Sequence, residues 1–143
     1  MSIGPSPELR DAYERTHYRV RLPRGGWATI RIGQPLPAPL PMLLPHADAP
    51  WAFVTACNPL SGKLPRAVNR TRQHELLAAL RRESAAVVIR AGIGVSEDGR
   101  WRESSLFVAG IACNQLKPLM HPFQQNAMVC GHGDGIARLE WLQ

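Results

Sequence analysis

In this 143-residue chain the side chains able to do chemistry stand at the borders of apolar segments. Thr55 and Asn58 fall at and just after the apolar run WAFVTAC (51–57), and Asn69 and Arg72 follow some ten residues on. Glu103 and Ser105 stand at the start of a later run, and Gln124, Gln125 and Asn126 precede another. Asn and Gln each offer a donor and an acceptor, so several converging would cradle a base, an amide or a sugar. The same groups can instead form an internal network that fixes loops. Glu103 is the one carboxylate close to expected core structure, because Glu97 and Asp98 belong to a turn. It can act as a general base, or accept hydrogen bonds from Arg72 or from backbone at a strand end.

Other constellations carry less. SGKL (61–64) follows a strand and opens a helix, but a phosphate-binding loop needs a glycine where Cys57 stands and a hydroxyl where Leu64 stands. What survives is a helix start with Lys63 beside it, able to hold one anionic group, or an ordinary turn. GHGDG (131–135) offers His132 and Asp134, too few ligands for a metal site and well explained as a hairpin turn. The other histidines lack metal spacing, so no metal and no cofactor is expected. Ser61, Ser104 and Ser105 lack a nucleophile elbow. Cys57, Cys113 and Cys130 form no CxxC pair, and read as thiols in a reducing compartment.

The formal net charge of +6 is the footprint of a partner such as nucleic acid or a nucleotide. Fifteen of the 17 basic residues are Arg, however, and they form no block. That scatter equally suits a basic surface. No apolar run reaches the roughly 18 residues of a membrane span, and the N-terminus shows no secretory pattern, so a cytoplasmic protein without a membrane partner is expected.

The elements that must position these residues follow from periodicity. Residues 7–15 suit a short helix with Ser6 as N-cap and Pro7 first. HYRVRL (17–22) and WATIRI (27–32) alternate with period two about PRGG, a β-hairpin. Five prolines at positions 35, 37, 39, 41 and 45 make 34–46 a Pro-rich connection. WAFVTAC reads as a buried strand. Residues 65–83 form the strongest helix, with Leu76, Leu77 and Leu80 on its apolar face and, against the pattern, Asn69 and Gln73 on that same face. Strands follow at 85–93 and 104–111 about the Asp98-Gly99 turn, then a helix over 112–121 with Pro118 and Pro122, then a closing hairpin of 126–130 and 136–142. The fold class is α+β: a single domain over 1–143, an antiparallel or mixed sheet with two to three helices packed on one side, and a flexible lead over 1–8.

The motifs T-x-C-N-P (55–59), N-x-x-R (69–72), W-R-E-S-S (101–105) and Q-N-A (125–127), with AYERTHYRV (12–20) and R-I-G (31–33), resemble a bacterial family known as domain of unknown function 3293. The resemblance runs from about residue 9 to the end. It places Thr55, Asn58, Pro59, Asn69, Arg72, Trp101, Glu103, Ser105, Gln125, Asn126 and Ala127 on signature positions. Cys57 stands where the family would have an aromatic residue, and Gln124 where it would have glycine. The resemblance implies relatives and no activity.

Three functional readings remain. A binding module would take a nucleotide or nucleic-acid segment in a cleft of Thr55, Asn58, Lys63, Asn69, Arg72, Ser105, Gln125 and Asn126, with Arg66 and Arg70 adding phosphate contacts. A hydrolase or transferase on a nucleotide-like substrate would use Glu103 as general base and Arg72 as anion clamp. A protein-interaction module would use the polar set only to hold loops. Whether the chain is an enzyme, and its oligomeric state, are not fixed by these residues.

Overall fold

The computed structural model describes residues 6–143. Residues 1–5 of the expected N-terminal lead lie outside them. Ser6 does cap the first helix, α1 (Pro7–Arg15): its hydroxyl accepts the Leu9 N–H at 3.1 Å, and Pro7 takes the first turn, where a missing N–H costs nothing. Pro7 and Glu8, where the expected 7–15 helix and the expected 1–8 lead overlap, are helical.

The strands are β1 (His17–Arg21), β2 (Trp27–Ile30), β3 (Pro50–Val54), β4 (Val88–Val95), β5 (Arg102–Ala109), β6 (Ala127–His132) and β7 (Arg138–Trp141). They form one seven-stranded sheet in the order β2-β1-β4-β5-β3-β6-β7. Every pairing is antiparallel, and the sheet curls into a half-barrel. The longest ladder joins β4 to β5 from Val88↔Ala109 to Val95↔Arg102 about the Asp98-Gly99 turn. Among the described residues the helices are α1, α2 (Arg66–Arg81) and α3 (Cys113–Met120), with short 3-10 turns at Leu40–Leu43, Pro59–Ser61 and His121–Phe123. The architecture is α+β. Among the described residues no helix is long and apolar enough to cross a membrane.

Strand alternation sends successive side chains to opposite faces, and each face has its own core. Ala52, Val54, Leu106, Val108, Met128 and Cys130 face α2 and α3, which supply Leu76, Leu80, Leu116 and Met120. Fully burying each of those leucines contributes roughly 1.5–3 kcal/mol. On the other face Tyr18, Val20, Trp51, Phe53, Phe107 and Val129 meet Leu36 and Leu40 of the proline-rich connection. That connection is therefore laid over the core: both leucines are buried, and Pro35 bridges Ile136.

Some boundaries differ from the sequence pattern. β3 stops at Val54, so Thr55–Cys57 leave the sheet as a loop. The strand from this run begins at Val88, with the Val87 N–H already donating to the Ala109 carbonyl at 3.1 Å, because Ala85 and Ala86 still complete turns after α2. Pro118 lies inside α3 without ending it.

Candidate functional site

The sharpest departure from regular structure is the loop after β3. Asn58, Leu60 and Ser61 all hold left-handed backbone, with φ of 50°, 52° and 63°. Asn tolerates this region, whereas Leu does so at a cost of order 1–3 kcal/mol. The loop persists because its surroundings over-determine it. The Leu60 N–H donates to the Gln124 carbonyl at 2.8 Å and the Ser61 N–H to the Asn58 carbonyl at 2.9 Å.

Side chains complete the restraint. Thr55 donates its hydroxyl to the Ser104 carbonyl at 2.7 Å and accepts the Cys57 N–H at 3.1 Å. Asn69 Oδ1 accepts the Asn58 N–H at 2.9 Å, and Asn69 Nδ2 donates to Asn58 Oδ1 at 2.8 Å. Asn58 Oδ1 also accepts the Leu64 N–H at 2.9 Å. Gln73 Oε1 accepts the Ala56 N–H at 3.0 Å. The two polar residues that broke the apolar stripe of α2 thus hold this loop. Arg72 spreads its guanidinium between the carbonyls of Ala56, at 2.7 Å from Nε, and Phe123. Gln125 Nε2 donates to the Cys57 carbonyl at 2.9 Å, and Asn126 Nδ2 to Ser61 Oγ at 2.9 Å.

One group faces outward from this network into open space. Asn58 Nδ2 donates to Glu103 Oε2 at 2.9 Å. Glu103 lies on β5 beside a cleft of about 660 Å³. The floor is sheet, from Tyr18, Phe53, Gly94, Ser105, Ala127 and Val129; the rim is the Asn58–Ser61 loop, Ser96–Asp98, Trp101 and the Leu9–Tyr13 side of α1. Burial pushes the Glu103 carboxyl above the ordinary carboxylate range, and the Asn58 hydrogen bond and the nearby Trp101 side chain offset this in part. Among the described residues no Lys or Arg pairs with it.

Two phenols share the cleft. Burial raises the Tyr13 phenol, and the polar side chains of Ser61 and Asn126 nearby offset this in part. Tyr18 is raised further by the same cause, and its hydroxyl donates to the Tyr13 carbonyl at 2.7 Å. That bond ties α1, which has no fully buried residue, across the cleft mouth.

Of the residues singled out from sequence, Thr55, Asn58, Glu103, Ser105 and Gln125 line this cleft. Asn126 reaches it through Ser61, and Asn69 stands behind Asn58. Lys63 is exposed and outside the lining, and Arg72 is turned to backbone carbonyls, so the expected anion clamp and the Arg72–Glu103 contact do not form. Exposed Arg66 and Arg70 are likewise absent from the lining. Sequence reasoning passed over Tyr13, Tyr18 and Ser61 as site residues. The i, i+4 pair Leu9–Tyr13 on an otherwise polar helix was the available signal for Tyr13.

The family model described as "Protein of unknown function (DUF3293)" matches residues 54–128, just over half of the chain. That segment contains the loop, Asn69, Arg72, Trp101, Glu103, Ser105 and the 125–127 motif, but neither α1 nor the first hairpin. No curated protein and no solved structure matches the chain.

Proposed function

The chain belongs to the DUF3293 family, and we propose that its cleft binds a small, uncharged polar molecule presented to Glu103, which serves there as a proton donor or acceptor. The single observation that carries this reading is a half-buried carboxyl with a raised pKa and, among the described residues, no cationic partner, bordering an open cleft. Structural carboxylates are ordinarily paired; one left unpaired in low dielectric is poised for acid–base work or for donating a hydrogen bond while neutral. The strained Asn58–Ser61 loop supports the reading too, since such strain collects at functional sites.

The amides do not present themselves to a ligand as a base-reading set. Asn58 and Asn69 use their oxygens and amide nitrogens on each other, on backbone and on Glu103. Their role in this reading is to position the carboxyl. Apolar and aromatic walls from Phe53, Tyr18 and Trp101 suit a flat heteroaromatic or sugar-like group. The charges on the lining disfavour phosphate: Glu97, Asp98 and Glu103 stand against Arg15 alone. Among nucleotide-like molecules, a nucleoside or free base therefore fits better than a nucleic-acid backbone.

A ligand-observed NMR screen of neutral heteroaromatics, amides and nucleosides tests this on three proteins: wild type, Glu103→Gln and Gly94→Leu. A side chain at Gly94 would grow into the cleft, where a Cβ meets nothing nearer than Ser105 Oγ at 3.8 Å. Hits on wild type that vanish in folded Gly94→Leu and change affinity with pH only when Glu103 is present are expected. Hits unaffected by Gly94→Leu, or none at all, would defeat the proposal.

A further inference from the structure

On the face of the sheet away from the cleft, Cys113 opens α3, Cys130 stands on β6, and Glu140 stands on the neighbouring β7. The two sulfurs are 3.9 Å apart. One carboxylate oxygen of Glu140 joins them in a cluster with all three ligand atoms within 4.8 Å of one another. Cys130 is buried, whereas Cys113 and Glu140 are half-buried, so the cluster is closed on the core side and reachable from solvent. None of the three takes part in the cleft.

We propose that Cys113, Cys130 and Glu140 form a site for a thiophilic divalent cation, with zinc(II) the ion that suits it and water as fourth ligand. Two thiolates on a tetrahedral zinc, each about 2.3 Å from the metal, stand roughly 3.8 Å apart, close to the spacing found here. A disulfide needs about 2.05 Å between sulfurs, so a covalent bond would have to draw them together by nearly half their separation. The donor set selects the metal class: two sulfurs and one carboxylate fit zinc, whereas magnesium and calcium take oxygen alone.

The surrounding charge neither favours nor opposes an ion on net. Lys117, one turn after Cys113, holds Glu140 Oε1 at 2.5 Å, and Arg138 Nε lies 3.6 Å from Oε2. With both thiols protonated the cluster and its two cations sum to +1. A divalent ion with two thiolates adds no net charge, so the flanking cations serve both states equally. The ligands come from three elements, α3, β6 and β7, and an ion here would pin the start of α3 to the sheet. Spacings of 17 and ten residues between ligands match no zinc motif; only the β6–β7 pairing of Cys130↔Arg138 and Met128↔Glu140 brings Glu140 near.

The test uses the whole reduced chain and cobalt(II) as a spectroscopic probe. One equivalent should give thiolate-to-cobalt charge-transfer absorption and the visible bands of a tetrahedral ion, both erased by added zinc(II). Cys113→Ser should abolish the charge-transfer band, and Glu140→Gln should weaken binding at least tenfold. Cys57→Ser, which alters the one cysteine outside the cluster, should leave the spectrum intact. Circular dichroism of each variant checks that it is folded, and zinc should raise the melting temperature of wild type but not of Cys113→Ser. Wild-type protein that shows no charge-transfer band overturns the proposal, as does a band that persists in Cys113→Ser. Peroxide converting the pair to a disulfide in protein that binds neither metal would assign the pair to redox chemistry instead.

Discussion

Replacing Asn69 by Ala tests whether the polar residues of α2 hold the cleft loop. Asn69 makes two good hydrogen bonds to Asn58, at 2.9 and 2.8 Å, and a longer one to the Leu64 carbonyl at 3.3 Å. The dominant loss is the acceptor for the Asn58 N–H, because Asn58 is buried and its left-handed backbone leaves that group no helical or sheet partner. An orphaned buried donor costs about 1–3 kcal/mol. Asn58 Oδ1 keeps the Leu64 N–H, so its loss adds little. Ala is the better helix former by up to about 0.7 kcal/mol, which offsets part of the damage. The expected net loss is about 2 kcal/mol. Urea unfolding followed by far-ultraviolet circular dichroism reads it as a midpoint lowered by about 1 M at unchanged slope, for a slope near 2 kcal/mol/M. The carboxyl of Glu103 should respond as well: a loosened Asn58 amide supports the ionised form less, so its pKa should rise above the wild-type value in carbon-detected NMR titration. A loss below 0.5 kcal/mol together with an unmoved Glu103 titration would refute the claim that Asn69 holds Asn58 and, through it, Glu103.

Glu103 itself should make stability depend on pH. Its folded pKa is raised, so the fold prefers the protonated form; this stabilising contribution is full below the unfolded value of about 4.3 and is lost as pH rises through the raised folded value. Urea unfolding across that window should show the decline in wild type and a flatter profile in Glu103→Gln. Gly92→Ala should destabilise by about 1–3 kcal/mol, because a Cβ there meets Phe53 Cε2 at 2.8 Å and the Arg19 carbonyl at 2.9 Å. Gly94→Ala two residues on has room, and thermal unfolding should separate the pair cleanly. Arg72→Lys should lower the melting temperature nearly as much as Arg72→Ala, since one ammonium cannot span the Ala56 and Phe123 carbonyls as the planar fork does.

Local chemistry was legible because each signal acts within a few residues. Ser6 and Pro7 announced α1, Gly25 and Gly26 the first hairpin, and Asp98-Gly99 the β4–β5 turn. The anomaly of Asn69 and Gln73 on an apolar stripe was visible too, but its meaning was not, since their partners Asn58 and Ala56 belong to another element. Gln124 shows the same division. The resemblance implies a glycine at its position, and its φ of 54° lies in the left-handed region that favours glycine.

Periodicity and turn residues by themselves determined the α+β class, the order of elements and the polar character of the loop after β3, because strand alternation, proline geometry and glycine turns are properties of short stretches. Which of the polar groups meet was decided by the tertiary structure alone. Arg72 and Glu103 looked like partners by type, yet α2 turns the guanidinium to the Ala56 and Phe123 carbonyls while β5 presents Glu103 to the cleft beside Asn58. Tyr13 joins that cleft because α1 folds back across the sheet, and Cys113, Cys130 and Glu140 converge because β7 pairs with β6 beneath α3. Contacts between distant segments depend on how whole elements pack, and no short-range pattern in the chain encodes them.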